Sequence, residues 1–121
     1  MAYVDGFVLA VPTANKQAFI DMAKAVDGLF IEFGATRVME CWADDVPDGK
    51  QTDFKRAVQA RPDEAVVFSW IEWPDKATRD AGMARFHDAM QSDERFKSGA
   101  PPFDGKRMIF GGFSPVLILG E

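Results

Sequence analysis

The run at residues 65–73, Ala-Val-Val-Phe-Ser-Trp-Ile-Glu-Trp, restricts the fold more than any other segment, because it is apolar in both parities. One parity carries Val67, Ile71 and Trp73; the other carries Val66, Phe68 and Trp70. Side chains alternate between the two faces of a strand, so a strand with one wet face alternates apolar with polar. This strand asks for cover on both sides. Residues 36–43 behave alike, with Met39, Cys41 and Ala43 on one parity and Val38 and Trp42 on the other.

The remaining segments supply neighbours for these strands. Residues 3–11 are rich in Val, Phe and Leu and stop at Pro12, the pattern of a first strand. Thr13 or Asn15 can cap a helix in which Phe19, Met22, Val26, Leu29, Phe30 and Phe33 recur at three- and four-residue steps. Gly34 suits a left-handed cap at its end. The segment Asp44-Asp45-Val46-Pro47-Asp48-Gly49 has turn composition. Residues 53–60 suit either a short helix capped by Asp53 or an extended piece. Pro74 stops the apolar strand, and Asp75 can cap a helix to about Met90 with Ala77, Ala81, Met83, Phe86 and Met90 along one side. Ser92 can cap one more turn containing Phe96. Residues 106–113 read as a fourth strand with a bulge or bend at Gly111-Gly112, followed by an apolar tail at 116–119.

The order strand, helix, strand, strand, helix, strand is α+β and ferredoxin-like, βαββαβ: a four-stranded antiparallel sheet with two helices on one face. With 121 residues, the expectation is a single domain spanning 1–121. The helices cover one face, and the pattern offers no third layer for the other. A homodimer answers this, with two sheets packed face to face as a dimeric α+β barrel enclosing a space between them. The tail at 116–119 could extend across to the partner.

Charge and motifs exclude several classes. The net charge is −5 and no basic stripe is present, which argues against nucleic acid and anionic membrane surfaces as partners. Cys41 is the sole cysteine, so no intrachain disulfide forms, and it reads as a small buried hydrophobe. The first residues lack the basic start and apolar run of a secretion signal, and no run is long enough to span a bilayer; a cytoplasmic location is expected. The loop Asp44-Asp45…Asp48-Gly49 lacks calcium-loop spacing and reads as a solvated turn, so no metal is expected. There is no GxGxxG, Walker loop, CxxC or HExxH, and no cofactor is expected.

Long stretches of the chain resemble a known family. They are Tyr3-Val4-Asp5-Gly6-Phe7, the run Glu40-Cys41-Trp42-Ala43-Asp44-Asp45-Val46-Pro47-Asp48-Gly49-Lys50, the block Val66-Val67-Phe68-Ser69-Trp70-Ile71-Glu72, and Pro102 through Phe113. Together they resemble the YbaA-like family of small bacterial proteins, classed as a domain of unknown function and similar to the dimeric α+β barrel superfamily. The resemblance implies the fold already argued. It implies no reaction and no catalytic residues.

The candidate chemistry lies on the strands. Glu40, Trp42 and Asp44 share one parity, and Trp70 and Glu72 share one parity of the neighbouring strand. If those faces coincide, carboxylates and indoles line one wall, with Glu40 or Glu72 as a general base and the indoles holding a flat apolar ligand. Arg107, placed on the fourth strand, could hold an anion or neutralise a carboxylate. The structural alternative pairs Glu40 or Glu72 with Arg107 or Arg37 to fix register. His87 is the single histidine. Resemblance to haem-degrading barrels of the superfamily would pair it with Trp70, although Asp5 stands near the place of their expected asparagine. The reading is a homodimer that binds a small aromatic or amphipathic molecule between its sheets. Alternatives are a cofactor-independent oxygenase or isomerase, a haem-degrading monooxygenase, or a purely structural dimer; whether the protein is an enzyme stays open.

Overall fold

The computed structural model describes residues 2–92 and 101–120. Strand β1 (Tyr3–Pro12) leads through a single 3-10 turn into helix α1 (Lys16–Glu32). Strand β2 (Arg37–Trp42), short helix α2 (Phe54–Ala57), strand β3 (Glu64–Trp73), helix α3 (Lys76–Ser92) and strand β4 (Ile109–Phe113) follow. The strands form one antiparallel sheet in the order β2-β3-β1-β4. The extra turn expected around Phe96 lies outside the described residues.

Local signals explain the element ends. Helix α1 closes on a paired-hydrogen-bond cap: the Ala35 amide donates to the Phe30 carbonyl at 2.9 Å and the Gly34 amide to Ile31 at 3.2 Å. Gly34 sits at φ 118°, where a side chain would be strained. The expected caps at its start are spent elsewhere: Thr13 Oγ1 donates to the Asp63 carbonyl and Asn15 Nδ2 to the Pro102 carbonyl. Asp53 does cap α2, accepting from the Arg56 amide at 2.8 Å, and Asp75 caps α3 through the Thr78 amide at 2.7 Å.

Helices α1 and α3 cover the face of the sheet carrying Phe7, Leu9, Val11, Val67, Ile71 and Trp73. Phe30 and Phe86 stack across the two helices at 4.2 Å. Asp5 is buried on this face and takes both arms of the Arg79 guanidinium, at 2.7 and 3.0 Å, together with the Trp73 indole N–H at 2.9 Å. That network pins α3 to the centre of the sheet.

Four expectations are corrected. The chain does supply a partial third layer: the α2 excursion lays Val58, 1 % exposed, over Val8, Ala10 and Val66 on the face opposite the helices. The fourth strand begins at Ile109, because residues Gly105–Arg107 wind into a 3-10 turn capped by Asp104. No bulge interrupts β4: Phe110, Gly111, Gly112 and Phe113 pair in unbroken register with Phe7, Gly6, Asp5 and Val4. The two glycines instead leave room, Gly111 for the Phe113 ring and Gly112 for Tyr3 and Arg79. On α3, Ala77 and Ala81 are exposed, since the helix touches the sheet through Gly82 and its neighbours.

Candidate functional site

An apolar cavity of ≈ 320 Å³ lies between the sheet and helices α1 and α3. Its floor is Phe7 and Leu9 of β1, Ser69 and Ile71 of β3, and Val38 and Glu40 of β2. Its roof is Phe19, Met22, Val26, Asp27 and Phe30 of α1 with Phe86 and Met90 of α3. Pro101, Phe103 and Met108 close one side. The space exists because α3 is thinly packed. Among its described residues only Gly82 is buried, so the helix contributes few side chains to the interior.

Among the described residues that line this space, Asp27, Glu40 and Ser69 turn polar side chains toward it; Trp70 also borders it, from a strand position whose side chain projects to the opposite face. Register explains their meeting. Glu40 lies directly opposite Ser69 in the β2–β3 ladder, so their side chains project to the same face, and α1 crosses that face with Asp27 on its inner side. Asp27 and Glu40 also line a second, open depression of ≈ 260 Å³ on the outer surface, beside Lys24. The two carboxyls thus form the wall between the interior and solvent.

Burial pushes the Asp27 carboxyl far above the usual carboxylate range, with hydrogen bonding to Glu40 and its negative charge adding to the shift. Asp27 keeps its proton because its ionised form would lie desolvated beside the Glu40 charge.

The sequence candidates divide between the two faces. Glu40 and Trp42 face the helices, whereas the Trp70 and Glu72 side chains project from the opposite face, because Glu40 pairs with Ser69 and Met39 with Trp70. The Trp70 indole donates to Glu72 Oε2 at 2.8 Å and lies 5.6 Å from the Phe68 ring. Glu40 and Glu72 therefore share no cavity. Trp42 packs on Phe19 with Lys16 over its ring at 5.2 Å. Asp44 is exposed in the bend after β2, away from the cavity.

Arg107 is not on a strand and reaches neither Glu40 nor Glu72. Its 3-10 turn aims the guanidinium at the start of β3, where it grips Glu64 with two bonds of 2.6 and 2.7 Å and also bonds Asp104 and the Gln59 carbonyl. That grip holds Glu64 well below its ordinary value, down to about 2. His87 is exposed on α3, 6.2 Å from the Phe86 ring, and lies across the helix layer from the face holding Trp70. The pair expected from haem-degrading barrels is not assembled. Among the described residues no group of three or more His, Cys, Asp or Glu is gathered to hold a metal, and no helix is long and apolar enough to cross a membrane.

Asp27 and Ser69 escaped the sequence reading. Asp27 did leave a signal, since it falls four residues after Ala23 and three before Phe30, inside the buried stripe of α1. Ser69 broke the apolar run of β3 and read as a simple interruption.

Comparison with known proteins matches residues 2–105 to the family described as protein of unknown function DUF1428. The chain is 56 % identical over 119 residues to the uncharacterised protein YbaA of Escherichia coli K12, covering 97 % of this chain and 98 % of that one. The YbaA protein of Shigella flexneri matches equally. Among solved structures, a dimeric ferredoxin-like protein from an uncultured marine organism superposes with a TM-score of 0.64 at 11 % identity, covering 98 % of each chain. At that identity the likeness speaks for the fold alone.

Proposed function

The chain belongs to the DUF1428 family, which YbaA represents in Escherichia coli, and we propose that this member binds a small apolar molecule with a single polar end beneath its helices. The observation that carries this reading is the one-sided polarity of the ≈ 320 Å³ cavity, whose apolar walls end at Asp27, Glu40 and Ser69. Apolar walls supply affinity and a few placed polar groups supply orientation. This moves the ligand from the space between two sheets, where the sequence reading put it, into each protomer.

Indole tests the reading. Wild-type protein should bind it saturably in titration calorimetry, and Val38→Trp, which fills the cavity floor, should weaken binding at least tenfold without lowering the melting temperature. Equal binding by both proteins rejects the cavity as the site.

The open sheet face and exposed tail support a homodimer as the working form. Phe68, Ile109 and Phe113 are 45 %, 46 % and 62 % exposed there, and Val116, Leu117, Ile118 and Leu119 extend beyond them. A continuous apolar surface of this kind marks an interface, and a second copy presents the matching surface.

A second reading draws on the Asp27–Glu40 pair. One carboxyl that holds a proton beside one that can take another suits an isomerase, which removes a proton from one carbon and returns one to another with no net change. Phenylacetone provides a probe. Wild-type protein should speed exchange of its α-hydrogens with deuterated water and Glu40→Gln should not; no acceleration by the wild type rejects this reading.

A further inference from the structure

We propose that Asp27, Glu40 and Ser69 form an ammonium-recognition site, so that the cavity selects an amine with an aromatic or aliphatic body. The inference rests on the cavity reading above and names the class of its ligand.

Among the described residues, the polar end of the cavity lacks a cation. It holds two carboxyl groups, and no lysine, arginine or histidine lines the interior among the described residues. Lys24 lies beside the pair only in the outer depression. From α1 comes Asp27, from β2 Glu40 and from β3 the uncharged Ser69, while the described lining residues of α3 and of the chain after Pro101 are Phe86, Met90, Phe103 and Met108. No side-chain cation among the described residues therefore compensates the pair from within the cavity.

Ser69 supplies an independent observation. It is 4 % exposed and lines the cavity. A hydroxyl that lines a cavity can both donate to and accept from a ligand held there. An ammonium group offers three donors in a compact head. Two carboxylates and one hydroxyl oxygen are three acceptors at one end of the same space.

The exchange balances in charge. The pair carries one negative charge with its proton in place. A protonated amine enters, the proton leaves to solvent, and the dianionic pair faces the ammonium. Charge-assisted bonds of this kind are about twice as strong as neutral ones. A carboxylate or phosphate head would meet the negative charge of the pair and no compensating cation, and is rejected. An alcohol satisfies part of the set and displaces no proton.

Three probes of one shape separate these cases: phenethylamine, phenethyl alcohol and phenylacetate, titrated at pH 7 by calorimetry in two buffers of different ionisation enthalpy. The amine should bind at least tenfold more tightly than the alcohol and release up to one proton, while the acid should not bind. Asp27→Asn should lose the preference for the amine over the alcohol. Glu40→Gln, on the edge strand, should do the same and guards against a folding defect in the first variant. An amine that binds no better than the alcohol, or an acid that binds best, overturns the ammonium assignment and leaves the cavity standing. Failure of all three probes overturns the assignment and the cavity reading together.

Discussion

Two carboxylic acids, Asp27 and Glu64, show how position sets the behaviour of one functional group. Burial and the Glu40 charge push Asp27 up from 3.8 to about 9. The folded chain then keeps a proton that the unfolded chain releases, so this group's contribution to stability falls as pH rises between those two values. Glu64 runs the other way. The two bonds from Arg107 hold it at about 2 against an ordinary 4.5, so its contribution is present above the ordinary value and is lost as pH falls through about 2. Thermal melts separate the two effects. Asp27→Asn keeps the shape of the protonated acid and cannot ionise. Its melting temperature relative to wild type should therefore climb from pH 5 to pH 9, by about 3–6 °C for each kcal/mol relieved. A flat difference across that range would mean that the Asp27 carboxyl ionises normally. Glu64→Gln should be most harmful near neutrality and lose its effect in acid, read from the same melts.

The elements owe their positions to a few close approaches. Helix α3 reaches the sheet because Gly82 has no side chain. A Cβ there would meet the Trp73 ring at 2.6 and 2.7 Å and the Phe33 carbonyl oxygen at 2.9 Å. Trp73 is 1 % exposed and its indole is tied to Asp5, so the ring has nowhere to retreat. Gly82→Ala should destabilise the fold by about 1–3 kcal/mol, the usual cost of an overfilled core, despite alanine's better helix propensity. Chemical denaturation measures this, and a stabilised variant would show that α3 can lift away. The same approach explains why the cavity survives. A helix seated on a glycine at one point brings a scaffold close without filling the space farther along, under Phe86 and Met90.

At the scale of the molecule the sheet has two unequal faces. The helices cover one, apart from the cavity and Phe110, which is 72 % exposed on the β4 edge. The α2 excursion seals only the end of the other around Val58, leaving Phe54, Phe68, Ile109 and Phe113 exposed. Pairing through that face predicts a mass twice the 13.4 kDa of the chain in sedimentation equilibrium. Phe68→Glu should shift it to the single mass, because a charge at the centre of the apolar patch loses its water on pairing. An unchanged dimer in that variant would move the interface elsewhere. The ligand cavity lies on the other side of the sheet, so the monomeric variant should still bind indole.

The sequence by itself determined the element order, the antiparallel sheet under two helices, and the need of both sheet faces for cover. These follow from local periodicity, caps such as Asp75 and Gly34, and residue composition, all of which act within a few residues. Tertiary structure alone decided register. That Glu40 lies opposite Ser69 instead of Trp70 is a matter of one residue, and one residue reverses a strand's faces. It separated Glu40 from Glu72, gave Arg107 to Glu64, and brought Asp27 from a helix to a carboxyl that lies thirteen residues away in the chain. Side-chain periodicity along one segment carries no information about which partner lies across from it, and the polar end of the cavity is made entirely of such partnerships.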